Sequence, residues 1–103
     1  MRDDKDIPTG SPLEDCWLPL EQVAAACAVE PEWLLRHIED GLFVGMVSVG
    51  GTWRFSTVGL ARARRMRELE RNFDAVPELA ALVADMLEEM DRLRARLRRA
   101  GLI

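Results

Sequence analysis

Eight apolar residues, Val76, Leu79, Val83, Met86, Met90, Leu93, Leu97 and Ala100, follow one another at alternating steps of three and four. That spacing is a heptad seam on a single helix, about 37 Å long at 1.5 Å per residue. Leu82 and Leu87 widen it, and Pro77-Glu78 supplies its start, a proline in the first turn with an acid at the positive helix end. Packing on its own domain is one fate for such a seam, but a seam of this length outruns a domain cut from a 103-residue chain. The seam therefore predicts a homodimer, with Leu79, Val83, Met86, Met90, Leu93 and Leu97 at the interface. What precedes it must be one small domain. Residues 1–15, charged and broken by Pro8, Gly10 and Pro12, read as a mobile tail. Residues 16–73 then form the domain and residues 74–103 the dimerisation helix.

Within the domain, Leu20, Val23, Ala24 and Cys27 recur at i, i+3, i+4 and i+7, one face of a helix. A second helix starts at Glu30-Pro31-Glu32, carries Leu34, Leu35 and Ile38 inward, and stops at Gly41. Two short helices joined this tightly, with Val29 in the turn, predict a helix-turn-helix. Ala28 stands where such turns often use glycine, which predicts a turn that avoids positive φ. After Phe43 the period changes to alternation. Val44–Val49 and Thr52–Phe55 flank Gly50-Gly51, a two-residue hairpin turn that pairs Val49 with Thr52, Ser48 with Trp53, Val47 with Arg54 and Met46 with Phe55. Met46, Trp53 and Phe55 then face the core and Arg54 faces out, the wing of a winged helix-turn-helix. Ser56 or Thr57 caps a third helix through Leu60, Ala63, Met66 and Leu69, which breaks at Asn72-Phe73-Asp74.

The charge is polarised along the chain. Residues 1–41 hold three basic and ten acidic side chains, residues 42–71 six arginines and two acids, and residues 72–103 five arginines and six acids. One His, no Tyr and one Lys leave no nucleophile–base pair, phosphate-binding loop or metal-ligand cluster to assemble. The expectation is a protein that is not an enzyme, with no cofactor and no metal. Cys16 and Cys27 are too few for a disulfide framework, and Cys27 falls on the apolar stripe of the first helix. No apolar run approaches a membrane span, and Met-Arg-Asp-Asp-Lys-Asp lacks the order of a signal peptide, so a cytoplasmic protein is expected.

Helix-turn-helix, wing, arginine-bearing helix and heptad helix, in that order, resemble MerR-type regulators, through Leu20-Glu21-Gln22-Val23-Ala24, Ile38-Glu39-Asp40-Gly41-Leu42 and Trp53-Arg54-Phe55-Ser56. Within that superfamily, the run WRFSTVGLARARRMRELERNFDAVPELAALVADMLEEMDRLRARL from Trp53 to Leu97 looks like the chaperone-modulator family, the CbpM-like proteins. The resemblance extends from about Trp17 to Leu97. It implies a mainly α, MerR-like winged helix-turn-helix with one β-hairpin wing and a long C-terminal helix, crossing antiparallel in the dimer. It also implies an inhibitor that binds the J-domain of a DnaJ/CbpA-type co-chaperone and blocks its work with Hsp70. J-domains dock to Hsp70 through a basic helix, and the acidic segment here contains the whole helix-turn-helix, so opposite potentials favour encounter. By charge and helix position, Glu32, Arg36, Glu39 and Asp40 are the expected partner-binding residues, with Trp33 and His37 as further contacts.

Sequence-specific DNA binding is the rival. A helix-turn-helix inserts its second helix into the major groove, where cations and amides meet phosphates and base edges. Here Arg36 stands among Glu30, Glu32, Glu39 and Asp40, and acids there repel phosphate. Aligned on Gly41-Leu42, the residues Leu35, Arg36 and His37 occupy the place of an Arg-Tyr-Tyr in MerR regulators, with both tyrosines and the leading Arg missing. Arg54, Arg62 and Arg65 remain to touch phosphate, which predicts weak, nonspecific contact. His37 is expected on the helix surface or partly packed. Trp33 reads equally as core or as an exposed aromatic anchor. Gly59 replaces an acid frequent in the first turn of this third helix, which weakens the capping box.

Overall fold

The computed structural model describes residues 17–103; the tail expected over residues 1–15, and Cys16, lie outside the described residues. The order is β1 (Leu18–Pro19), α1 (Leu20–Cys27), α2 (Pro31–Glu39), β2 (Met46–Val49), β3 (Thr52–Phe55), α3 (Thr57–Phe73) and α4 (Pro77–Arg99). α1 buries Leu20, Val23, Ala24 and Cys27, the whole of its apolar stripe. Its end corrects one expectation. Ala28 is left-handed at φ 57°, and the Ala28 and Val29 N–H groups fold back on the Ala24 and Ala25 carbonyls. Closing the turn in so few residues needs positive φ, and here an L-residue takes it. The αL conformation costs a residue with a Cβ about 1–2 kcal/mol, while glycine gives back about 0.4–1 kcal/mol through the unfolded chain. Ala28→Gly is therefore expected to raise stability slightly, by about 0.5 kcal/mol, read as a small upward shift of the urea midpoint at fixed protein concentration.

α2 turns its face one step from the expected one. Leu34 is buried and Ile38 half-buried, but Leu35 is 39 % exposed and His37 takes the inward place. Positions 34, 37 and 38 share a face at 100° per residue, and 35 falls beside it. At the helix start the Glu30 carbonyl accepts the Trp33 N–H, and beyond the helix Gly41 at φ 73° reverses the chain, with the Leu42 N–H on the His37 carbonyl.

The hairpin has the expected register, from Val49 opposite Thr52 to Met46 opposite Phe55, across Gly50 and Gly51 at φ 59° and 82°. A third strand was not anticipated: β1 pairs antiparallel with β3, setting Leu18 opposite Phe55, so the sheet order is β1-β3-β2. Two residues ending in proline leave no alternation to read, and proline is confined to a sheet edge. Phe55, on the central strand, joins Val23, Leu34 and Met66 as the largest fully buried side chains.

Ser56, the cap of α3, is held three ways. Its N–H and Oγ–H both donate to the Gly45 carbonyl, at 2.8 and 3.0 Å, and its Oγ accepts the Gly59 N–H at 3.2 Å. A Cβ on Gly59 would sit 2.5 Å from that carbonyl oxygen, so glycine here permits a backbone approach that closes the wing onto α3. α4 packs on α3 through buried Ala80, Ala81 and Ala84. Among the described residues no helix is long and apolar enough to cross a membrane.

Candidate partner-binding site

α2 stands at the surface with Glu32, Leu35, Arg36, Glu39 and Asp40 outward. Trp33 lies half-buried at the edge of the core, between its two sequence readings, and its Nε1–H donates to Glu70 Oε1 at 3.1 Å. His37 corrects the expectation of a surface or partly packed histidine available to a partner. It is 2 % exposed, its ring 5.5 Å from Phe43 and 4.0 Å from Trp33 between centroids. Its Nδ1 lies 2.7 Å from the Trp33 carbonyl and its Nε2 lies 2.8 Å from Glu70 Oε2. The ring thus bridges the Trp33 carbonyl of α2 and the Glu70 carboxylate of α3. This linkage pins α2 to α3 and orients Trp33. Glu70 was missed in the sequence, although a signal was there: it follows Ala63 and Met66 at i+7 and i+4 on the buried stripe of α3, where an acid implies a polar partner inside.

The arginines of α3 divide by side. Arg62 is 4 % exposed: its Nε donates to the Leu42 carbonyl at 2.8 Å and its Nη1 meets Asp85 at 2.8 Å and Glu88 at 3.0 Å. Arg65 reaches Asp91 at 3.3 Å. Both were expected as phosphate contacts. Arg62 is buried and committed to α4, which corrects that expectation, and Arg65 is paired with α4 as well. Arg54 is half-buried on the wing, opposite Val47. Cys27 is buried, and desolvation pushes its thiol above the ordinary range, with Arg64 and Arg67 pulling weakly the other way. Among the described residues no group of three or more His, Cys, Asp or Glu could hold a metal ion.

The seam of α4 lies on the side away from α3. Leu79 is 50 % exposed, Met86 57 % and Met90 44 %, Leu93 and Leu97 are also open, and Val83 is half-buried. The domain covers α4 with alanines and leaves the large side chains outside. Exposed apolar surface of this length and regularity marks an interaction face.

The order of elements, the three-stranded winged sheet and the long α4 agree with the family model for MerR HTH family regulatory proteins, which matches residues 18–100. No curated protein and no solved structure matches the chain. With the match covering more than three quarters of its length, the chain belongs to the MerR helix-turn-helix family of regulatory proteins and has that family's mainly α, winged helix-turn-helix fold.

Proposed function

We propose that the protein is a CbpM-like chaperone modulator, a homodimer that binds the J-domain of a DnaJ/CbpA-type co-chaperone in the cytoplasm and inhibits its stimulation of Hsp70. The observation that carries this reading is the outer face of α2. There Glu32, Glu39 and Asp40 stand exposed around Arg36, where a DNA reader needs cations and amides. Two arginines of α3, Arg62 and Arg65, support it further, since both are engaged by α4. One exposed charge pair at 4 Å is worth about 1 kcal/mol in water, so several acids must act together and apolar contacts such as Leu35 and Trp33 supply the rest. In an assay of J-domain-stimulated Hsp70 ATPase, the protein is expected to suppress the stimulated rate, and Glu39→Lys with Asp40→Lys to weaken suppression about tenfold. Undiminished suppression by that variant would move the site off α2; no suppression by the wild type would reject the reading. A MerR-type DNA-binding regulator is the alternative, favoured by Arg54 on the wing.

Dimerisation through α4 completes the proposal. Residues 77–91 of the helix carry five acids and no base, and residues 92–99 carry five arginines and no acid. Antiparallel crossing about the centre of the seam sets residues 92–99 beside the partner's residues 77–84 and so keeps the two arginine-rich ends apart, whereas parallel pairing aligns them. Met86→Asp with Met90→Asp places charge at the centre of the seam and is expected to weaken dimerisation about 100-fold, seen as a shift to monomer in sedimentation velocity. A variant that still sediments as a stable dimer would mean that the seam is not the interface.

A further inference from the structure

A second charged surface lies beside α2. Between the α1–α2 turn with the first turns of α2 and the C-terminal half of α3 runs an open groove of about 490 Å³, bordered by Glu30, Glu32, Trp33 and Arg36 on one side and by Arg67, Glu70 and Arg71 on the other. Arg64, Arg67 and Arg71, spaced i, i+3 and i+7, form the row of α3 that faces away from α4. Unlike Arg62 and Arg65, none of the three, nor Arg36, has a carboxylate within ion-pair distance among the described residues. The Nε–H of Arg67 is buried and has no acceptor among the described residues. Glu70, the acid that α3 contributes to the groove, is already engaged: one oxygen takes the Trp33 indole N–H and the other meets His37. Buried donors without acceptors are rare in folded chains, and a guanidinium fork is built for a planar carboxylate.

From this we propose that the groove takes an acidic side chain of the protein partner, its carboxylate entering the fork of Arg36, Arg67 and Arg71 beside the Trp33 ring. The proposal rests on the reading that this side of the molecule meets a protein. Glu30 and Glu32 face the groove beside the arginines, so the partner's segment places a carboxylate against Arg67 and Arg71 and a neighbouring cation against the two acids. A nucleic-acid backbone brings charge of one sign only and meets repulsion from Glu30 and Glu32. A partner surface that is simply basic would satisfy Glu30 and Glu32 and leave the arginine row uncovered.

The test uses the full, isotopically labelled protein and four probes in NMR titrations: the peptide Ac-Lys-Ala-Asp-Ala-Lys-NH2, its Asn analogue, inorganic phosphate and a short DNA duplex. The Asp peptide is expected to move the Trp33 indole and Arg67 Nε–H signals, and the Asn peptide to bind about tenfold more weakly. Arg67→Gln with Arg71→Gln should weaken the Asp peptide by a similar factor while leaving the Trp33 indole of the free protein in place; Arg36→Gln is the second variant. Equal binding of the two peptides, or tighter binding of phosphate or duplex at the same signals, overturns the proposal. Binding of a J-domain then separates the two readings. If wild type and the Arg67/Arg71 variant bind it equally, the groove proposal fails and the α2 reading stands. If no J-domain binds but the carboxylate selectivity holds, the groove stands and a different acidic partner replaces the J-domain.

Discussion

Arg62→Ala is expected to remove about 3–5 kcal/mol of stability, the range for leaving a buried charge pair without one partner. The guanidinium is 4 % exposed and joins three separate pieces of chain: the Leu42 carbonyl after α2, its own helix, and Asp85 and Glu88 on α4. Glu88 is itself only 22 % exposed, so its carboxylate would lose a partner it cannot fully replace with water. Asp85 is 62 % exposed and contributes less. Arg62→Lys should fall between, because an ammonium cannot serve the Leu42 carbonyl and both carboxylates in one plane. Urea unfolding at a fixed protein concentration checks the order wild type, Lys, Ala; an Arg62→Ala cost below about 1 kcal/mol would show the cluster to be solvated.

Gly59→Ala is expected to cost about 3 kcal/mol, the upper end for overpacking a filled site. The new methyl would lie 2.5 Å from the Gly45 carbonyl oxygen and 3.1 Å from Phe55 Cδ2. Neither neighbour is free to move. The carbonyl accepts two hydrogen bonds from Ser56, and Phe55 is completely buried. The wing would have to lift from α3, which also loosens the Ser56 cap. Thermal unfolding reads the loss, since 1 kcal/mol shifts the midpoint by roughly 4–8 °C in a domain this small. A Gly59→Ala midpoint within a degree or two of the wild type would mean that the Gly45 loop adapts.

Features written in local spacing were legible in the sequence. The Gly-Gly turn set the strand register residue by residue, Ser56 stood at the mouth of a helical pattern, and the three–four alternation from Val76 onward marked a helix whose large side chains indeed lie outside its own domain. What was not legible depends on partners distant in sequence. Arg62 meets Asp85 and Glu88 across 23 and 26 positions, and His37 meets Glu70 across 33. Polarity alone points Arg62 to the surface and His37 to the surface or a partly packed place, since polar side chains usually lie outside. β1 is too short to show a period, and its pairing is decided by β3. The αL turn at Ala28 was misread because residue identity reports preference, whereas the tightness of the α1–α2 connection imposed the conformation. The candidate site was half legible: the acids of α2 are where spacing put them, but the α3 wall beside them, with Arg67, Glu70 and Arg71, needed the tertiary arrangement.

Whether the acidic face of α2 reads a protein or a nucleic acid is decided most directly by one calorimetric comparison at physiological salt, titrating the intact protein with the J-domain of a cognate DnaJ-like co-chaperone and with a library of DNA duplexes. Saturable J-domain binding is expected, weakening about tenfold on Glu39→Lys with Asp40→Lys and further with added salt, as for exposed opposite charges. Duplex binding is expected to be weak and without sequence preference. One duplex bound tightly and selectively, with no affinity for the J-domain, would overturn the chaperone-modulator reading.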